Sequence, residues 1–276
     1  MRLAAPLLAS ALAMAIALPT YAADKAPRPQ PAKHADEPGN APDDAARASD
    51  KADTAQASAI EYSVSRHRSI PFHGATLGYT VTPGTLTIRN DEGEPIASMF
   101  YTAYVADASR SGKARPITFM YNGGPGSSSM WLHMGSYGPL KVDVPGLDAL
   151  HGEPGRLVAN PDTILDRTDI VFLDAIGTGL SRPLGKATGK DFWSVDGDLD
   201  AFARGIQRYL TINNRWASPK FLLGESYGTM RAAGLAYVLQ QRGVQLAGAT
   251  IMSTVLNIPL LFDPSVDQMH VNAFPT

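Results

Sequence analysis

The sequence of 276 residues contains no cysteine, so the chain can form no disulfide and depends on a packed core for its stability. It also lacks an excess of either charge, since the formal net charge is only −2. This balance gives no electrostatic case for a nucleic acid or an anionic membrane surface as a partner. No group of histidines and carboxylates has metal-ligand spacing, and no motif indicates a cofactor.

The first 23 residues have the pattern of a secretory signal peptide. Arg2 supplies the positive start, residues 3–18 are almost wholly apolar, and small residues near Ala22 suit a cleavage site. That run is short for a bilayer span, and no other segment is long and apolar enough to be one. Residues 24–59 are rich in Ala, Pro, Asp and Lys, a composition that predicts a disordered linker. We therefore expect an exported protein, periplasmic or secreted, with a folded domain over residues 60–276.

Within that domain, strand-like and helix-like patterns alternate. Strands are predicted at 76–82, 84–89, 97–105, 116–121, 169–174, 220–224 and 248–253. Residues 90–93 resemble a hairpin turn, so the first strands should be antiparallel. Helices are predicted over 195–209, with Leu199, Phe202, Ile206 and Leu210 on one face, and from just after Ser226 to Gln241, before Gly243. This order predicts an α/β fold with a mixed, mostly parallel sheet and helices on both faces.

A G-x-S-x-G motif, Gly224-Glu225-Ser226-Tyr227-Gly228, directly follows an apolar run. At the end of a strand, such a sequence forms a sharp turn that exposes the serine hydroxyl and points the next helix's N-terminus at a developing oxyanion. Glycine is needed on both sides because a side chain would crowd a strained turn. The motif predicts that Ser226 is the nucleophile of a serine hydrolase. The amide of Tyr227 is then one predicted oxyanion-hole donor.

A second glycine-rich segment, N-G-G-P-G at 122–126, follows the strand-like run at 117–121. In an α/β-hydrolase the loop after the third strand supplies an oxyanion-hole amide, and a glycine pair allows its close approach to the substrate. The amide of Gly124 is the predicted donor. The alternatives are an ordinary surface turn, since these residue types dominate turns, and a phosphate-binding loop. The second does not fit, because no lysine follows the glycines.

Together with D-I-V-F-L-D-A-I-G-T-G-L-S at 169–181, these two motifs resemble the serine carboxypeptidases of peptidase family S10, especially the bacterial ones, over about residues 66–262. The resemblance implies an α/β-hydrolase fold and removal of C-terminal residues from peptides through an acyl-enzyme on Ser226. It also implies that Asn122 and Glu225 recognise the peptide's terminal carboxylate. One departure is Ser136, which stands where many relatives have a second glutamate and puts strict exopeptidase specificity in doubt.

A second departure concerns the catalytic acid and base. In α/β-hydrolases the triad runs in the order Ser, Asp, His. The residues after Ser226, 227–276, contain Asp263, Asp267 and one histidine, His270, all within eight residues of one another. Family members place these groups on separate, more distant loops. His133 lies near the glycine-rich loop and is interpreted as structural, with pocket lining as the alternative.

We therefore expect a domain truncated on its C-terminal side, without the catalytic Asp and His and inactive or weakly active by itself, with peptides as the substrate partner. One alternative is an α/β-hydrolase that uses the same serine as an esterase or acyltransferase. The other is a fragment that binds peptides without catalysis. The sequence predicts neither side-chain preference nor oligomeric state.

Overall fold

A computed structural model of the chain describes residues 59–107, 114–143 and 155–254. Its strands are β1 (Arg66–Phe72), β2 (Ala75–Arg89), β3 (Pro95–Ala106), β4 (Ile117–Tyr121), β5 (Leu140–Asp143), β6 (Arg156–Ala159), β7 (Asp169–Leu173), β8 (Arg182–Pro183), β9 (Lys220–Glu225) and β10 (Gly248–Met252). Eight of them form one sheet in the order β1-β2-β3-β7-β4-β9-β10, with β8 paired to β3. Strands β5 and β6 form a separate antiparallel pair.

The sheet is mixed, as predicted. Strands β1, β2, β3 and β7 pair antiparallel, while β7, β4, β9 and β10 pair parallel. The predicted hairpin turn joins β2 to β3, where the Asn90 amide donates to the Glu94 carbonyl at 3.0 Å. The sheet and the helices that pack on it confirm the α/β class.

The prediction of two separate strands at 76–82 and 84–89 is wrong, because β2 runs unbroken through Pro83. A proline is tolerated at position 83 because its nitrogen points away from β3, and β1 pairs with β2 only as far as Val81 on that side. On that side the Pro83 carbonyl accepts from the Val64 amide at 3.1 Å. Strand β1 was not predicted, since six of its seven residues are exposed or only partly buried, and it shows no clear apolar alternation.

Two long helices follow the predicted pattern. Helix α1 (Val195–Ile212) begins where the Ser194 hydroxyl accepts the Gly197 amide at 3.1 Å, an N-cap bond. Helix α2 (Tyr227–Gln241) is terminated by Gly243, two residues after its last residue, which has a positive φ of 76°. There the Val244 amide donates to the Leu239 carbonyl at 2.8 Å and completes a Schellman turn. A helical turn at Met130–Leu132 continues as a π-helix at His133–Tyr137.

The core lies on both faces of the sheet because successive side chains of each central strand point in opposite directions. In β7, for example, Val171 and Leu173 lie in one cluster and Ile170 and Phe172 in the other. Helices α1 and α2 cover the first face, and all four residues of the predicted α1 stripe are buried. The second face is covered by the segment around Leu132 and Tyr137 and by Leu165. Helical segments thus lie on both faces, but the two long ones share one face.

Strand order also creates a crevice at one end of the sheet. The chain leaves β4 toward β7 on one side, whereas it leaves β9 toward β10 on the other. In open α/β sheets ligands bind beyond the carboxyl ends of two strands whose connections diverge in this way. The loops that begin at Asn122 and Ser226 lie at that point.

Among the described residues, no helix is long and apolar enough to cross a bilayer. The predicted signal peptide and nearly all of the predicted linker lie outside the described residues, as do Asp263, Asp267 and His270.

Candidate active site

Ser226 occupies a sharp turn between the end of β9 and the start of α2. Its backbone angles are φ 56° and ψ −123°, a combination that costs a residue with a Cβ on the order of 1–3 kcal/mol. The turn is held on both sides, since the Ser226 amide donates to the Met252 carbonyl at 3.0 Å and the Thr229 amide donates to the Ser226 carbonyl at 2.9 Å. Strain of this kind at a serine is what the G-x-S-x-G motif predicts.

The flanking glycines allow the turn to close. A Cβ on Gly224 would overlap the Gly228 carbonyl oxygen, and a Cβ on Gly228 would lie 2.9 Å from the Tyr121 carbonyl oxygen. Any larger residue at either position would push β9, β4 and α2 apart. The steric argument made from sequence for these two glycines is confirmed.

The glycine-rich loop after β4 packs directly against this turn. A Cβ on Gly123 would overlap the Tyr227 amide nitrogen and lie 2.7 Å from the Glu225 carbonyl oxygen. The next residue, Gly124, has a φ of 111°, which favours glycine. The structure therefore brings the two predicted motifs together at the same end of the sheet.

Asn122 and Glu225 are in direct contact. The Asn122 Nδ2 donates to Glu225 Oε2 at 3.0 Å, and Asn122 Oδ1 accepts the Leu132 amide at 3.0 Å. Asn122 is only 3% exposed, whereas Glu225 is partly exposed. A buried amide with both ends bonded is a fixed group, and it presents the Glu225 carboxylate beside the nucleophile turn.

These features coincide with a family relationship. The sequence profile of peptidase family S10, serine carboxypeptidase, matches residues 78–267, most of the chain. The chain belongs to the serine carboxypeptidase family. It is 24% identical over 168 residues to serine carboxypeptidase-like 36 of Arabidopsis thaliana, covering 58% of this chain and 33% of that protein. It is 28% identical over 155 residues to the pheromone-processing carboxypeptidase KEX1 of Saccharomyces cerevisiae, covering 52% of this chain and 20% of that one.

A solved structure supports the fold of this serine carboxypeptidase family member. The crystal structure of the prohormone-processing carboxypeptidase from Saccharomyces cerevisiae superposes with a TM-score of 0.51 at 20% identity. The match covers 63% of this chain and 38% of that one. The chain thus spans about a third or less of the length of the curated relatives named above.

The third family motif, residues 169–181, is hydrogen-bonded to the segment that follows the glycine-rich loop. The Asp174 carboxylate accepts the Ser129 amide at 2.8 Å, which ties the end of β7 to the glycine-rich loop region. Burial raises the pKa of Asp174, and hydrogen bonds from the Ser129 and Leu180 amides offset part of the rise. Ser181 closes the motif, since its hydroxyl donates to the Asp174 carbonyl at 2.8 Å and accepts the Phe100 amide at 2.8 Å.

A cavity of about 340 Å³ adjoins the two motif loops in this carboxypeptidase-family chain. It is lined by Pro125, Gly126, Ala175, Ile176, Gly177, Thr178, Phe192, Trp193, Asp198 and Tyr227. The walls are mainly apolar and aromatic, so the cavity suits an uncharged side chain. Sequence reasoning missed Trp193 and Asp198, because no local pattern connects them to Ser226.

A larger groove, of about 590 Å³, shares no lining residue with the site. Three of its four arginines are already paired with carboxylates, for example Arg208 with Glu61 at 2.8 Å and Arg204 with Asp91 at 2.7 Å. We place the site at the smaller cavity, because that cavity contacts both motif loops.

His133 is partly buried in the helical segment that follows the glycine-rich loop. Its ring stacks on Phe172 with centroids 4.6 Å apart, and its Nε2 is 2.6 Å from the Tyr104 hydroxyl. Burial lowers the pKa of His133 to about 4, which keeps the ring neutral, and with its proton on Nδ1 the ring accepts a hydrogen bond from the Tyr104 hydroxyl. No hydrogen bond joins any of the three described histidines, His67, His73 and His133, to Ser226. The contacts favour the structural interpretation of His133.

Proposed function

We propose that this chain carries the nucleophile site of an exported serine-type carboxypeptidase that removes C-terminal residues from peptides through an acyl-enzyme on Ser226. The observation that supports this most is the strained Ser226 turn packed against the loop of Gly123 and Gly124 at the sheet's switch point. Export rests on the signal-like pattern of residues 1–23.

In the proposed reaction, Ser226 Oγ attacks the scissile carbonyl, and its proton passes through a general base to the departing amine. The C–N bond breaks, and water then hydrolyses the ester formed on Ser226. The amides of Gly124 and Tyr227 are the proposed oxyanion donors. Loss of one such donor typically costs about 3 kcal/mol of transition-state stabilisation.

We propose that Asn122 and Glu225 bind the terminal carboxylate of the peptide. Their hydrogen bond at 3.0 Å supports a shared role, because it holds the Glu225 side chain next to the nucleophile. The apolar cavity walled by Trp193 and Tyr227 is the proposed receptor for an uncharged substrate side chain.

We expect low activity from the 276-residue chain alone. A serine without a base loses nearly all of the contribution of a triad, which acts as a unit and is worth on the order of a millionfold. The one histidine after Ser226 is His270, close in sequence to Asp263 and Asp267. Robust turnover by this chain that depends on Ser226 would contradict the expectation and identify a base among its own histidines.

Ester hydrolysis or acyl transfer is the second candidate, and one observation favours it. Ser136, at the position where the resemblance to the family would place a second glutamate, is exposed, and its backbone carbonyl accepts from the Asn160 side-chain Nδ2 at 2.6 Å. Carboxylate recognition would then rest on Asn122 and Glu225 alone.

The test uses slow labelling of Ser226 by a fluorophosphonate, followed by intact-mass spectrometry, with Ser226→Ala as the blank. N-blocked dipeptides that end in a free carboxylate, an amide or a methyl ester are added as competitors. In a carboxypeptidase site the free-acid peptide should protect Ser226 from labelling and the amide peptide should not. Glu225→Gln should reduce the difference in protection between these two peptides. Equal protection by all three peptides would support the esterase or acyltransferase alternative instead. Labelling that persists in Ser226→Ala would contradict the assignment of the nucleophile.

A further inference from the structure

A buried arginine contacts the first residue of the glycine-rich loop. Arg231 belongs to α2, five residues after Ser226, and its side chain is 0% exposed. Its Nε and Nη2 donate to the two carboxylate oxygens of Asp198 in α1, at 2.7 and 3.1 Å. The third contact goes to the backbone, since Nη1 donates to the Asn122 carbonyl at 2.8 Å. One guanidinium therefore joins α1, α2 and the loop after β4.

The guanidinium is held in one orientation. Its Cζ lies 4.3 Å from the centre of the Phe202 ring and 5.4 Å from that of Tyr121. The Tyr227 ring, which also lines the apolar cavity, is 5.5 Å away. A planar fork bonded to both carboxylate oxygens and packed between rings has little freedom to rotate.

The contact with Asn122 controls the direction of a backbone amide. The Asn122 carbonyl and the Gly123 N–H belong to the same planar peptide unit, so fixing the oxygen also fixes the N–H. Gly123 in turn packs against the Tyr227 amide with no room for a Cβ. The Asn122 side chain is held separately by Glu225 and the Leu132 amide. Arg231 holds the Asn122 carbonyl.

We propose that Arg231, oriented by Asp198, is a positioning residue that sets the glycine-rich loop against Ser226. The inference deepens the proposed function and rests on it: the loop carries the proposed donor Gly124, and α2 carries the proposed donor Tyr227. Arg231 of α2 bonds the peptide unit at the start of the loop, in addition to the direct packing of Gly123 on Tyr227, so loss of its geometry should shift the two donors relative to each other. A misplacement of about 1 Å at an active site can lower a rate about a hundredfold.

The test compares Arg231→Lys and Asp198→Asn with a matched control, Asp169→Asn. Lysine keeps the charge but lacks the fork, and asparagine keeps the shape of Asp198 but loses one acceptor. Asp169 is also buried, at 2% side-chain exposure against 10% for Asp198, and accepts Arg115 at 3.0 Å and Arg215 at 2.8 Å. It begins β7, at the opposite end of the sheet from the site. A loss of stability alone should therefore affect all three variants.

Two measurements are made on the full chain at a temperature where circular dichroism shows each variant folded. The first follows the rate of Ser226 phosphonylation as a function of fluorophosphonate concentration. It gives the limiting rate and the half-saturating concentration, at which half of the limiting rate is reached. We expect the limiting rate to fall by about tenfold to a hundredfold in Arg231→Lys and Asp198→Asn. The half-saturating concentration should stay unchanged in Arg231→Lys, because Arg231, unlike Asp198, does not line the cavity. Asp169→Asn should leave both values at the wild-type level.

The second measurement is the ¹H–¹⁵N spectrum of chain labelled with ¹⁵N-glycine, with Gly123 assigned. Its peak should move in the two test variants and stay in place in Asp169→Asn. Unchanged limiting rates and an unmoved Gly123 peak in the test variants would overturn the positioning role. Failure of the wild-type chain to label at Ser226 would count against the proposed function instead, and the Gly123 peak would still decide the inference.

Discussion

Stability of the chain should fall steeply on acidification because of His133. This ring stacks on Phe172, and its Nε2 faces the Tyr104 hydroxyl at 2.6 Å. In the neutral ring with its proton on Nδ1, Nε2 accepts a hydrogen bond from the Tyr104 hydroxyl. A protonated ring would instead present an N–H to that hydroxyl and place a charge among aromatic groups.

The magnitude follows from the two states. In the unfolded chain a histidine has a pKa of about 6.5, whereas burial lowers the pKa of folded His133 to about 4. Between these values the unfolded chain binds a proton that the folded chain does not, so the free energy of unfolding decreases as the pH falls from 6.5 to 4. At about 1.4 kcal/mol per pH unit, the full loss reaches an upper limit of about 3 kcal/mol.

Urea unfolding followed by circular dichroism at several pH values between 4 and 7 measures this loss. His133→Gln replaces the ring with a group that does not titrate. Between pH 7 and 4 its free energy of unfolding should therefore decrease less than that of the wild type, and the difference between the two should be at most about 3 kcal/mol. The control is His67→Gln, because His67 is 64% exposed and pairs with the exposed Asp107. Parallel pH curves for wild type and His133→Gln would refute the reasoning.

Three further substitutions test the site. Ser226→Gly should be more stable than Ser226→Ala by about 1 kcal/mol in urea unfolding, because glycine relieves the strained φ of 56°; equal stability would contradict that strain. Gly123→Ala should lower stability by about 1–3 kcal/mol and slow Ser226 labelling, since the new Cβ overlaps the Tyr227 amide; wild-type labelling would show that the loop is not tightly held. Trp193→Ala should weaken protection of Ser226 by dipeptides with apolar side chains more than by glycine dipeptides, because Trp193 walls the apolar cavity; an equal effect on both would remove it from the substrate pocket.

Much of the fold follows from local patterns. The apolar stripe of α1 recurs every three or four residues, and the central strands are short apolar runs, so both were predicted within a few residues of their observed bounds. The two motif loops were also predictable, since Gly224, Gly228 and Gly123 are required by close backbone approach. Strands with few buried residues were missed, as in β1 and in β8, which has only two residues.

The partners of polar groups were decided only by the tertiary structure. Asn122 and Glu225 are 103 residues apart, and sequence reasoning named both only through a family resemblance. Nothing in the sequence connects Arg231 with Asp198, or with the Asn122 carbonyl 109 residues earlier. A periodic pattern reports which face of an element is buried, because burial acts on every residue of that face. A hydrogen bond depends instead on where two distant elements meet, and strand order and helix packing decide that.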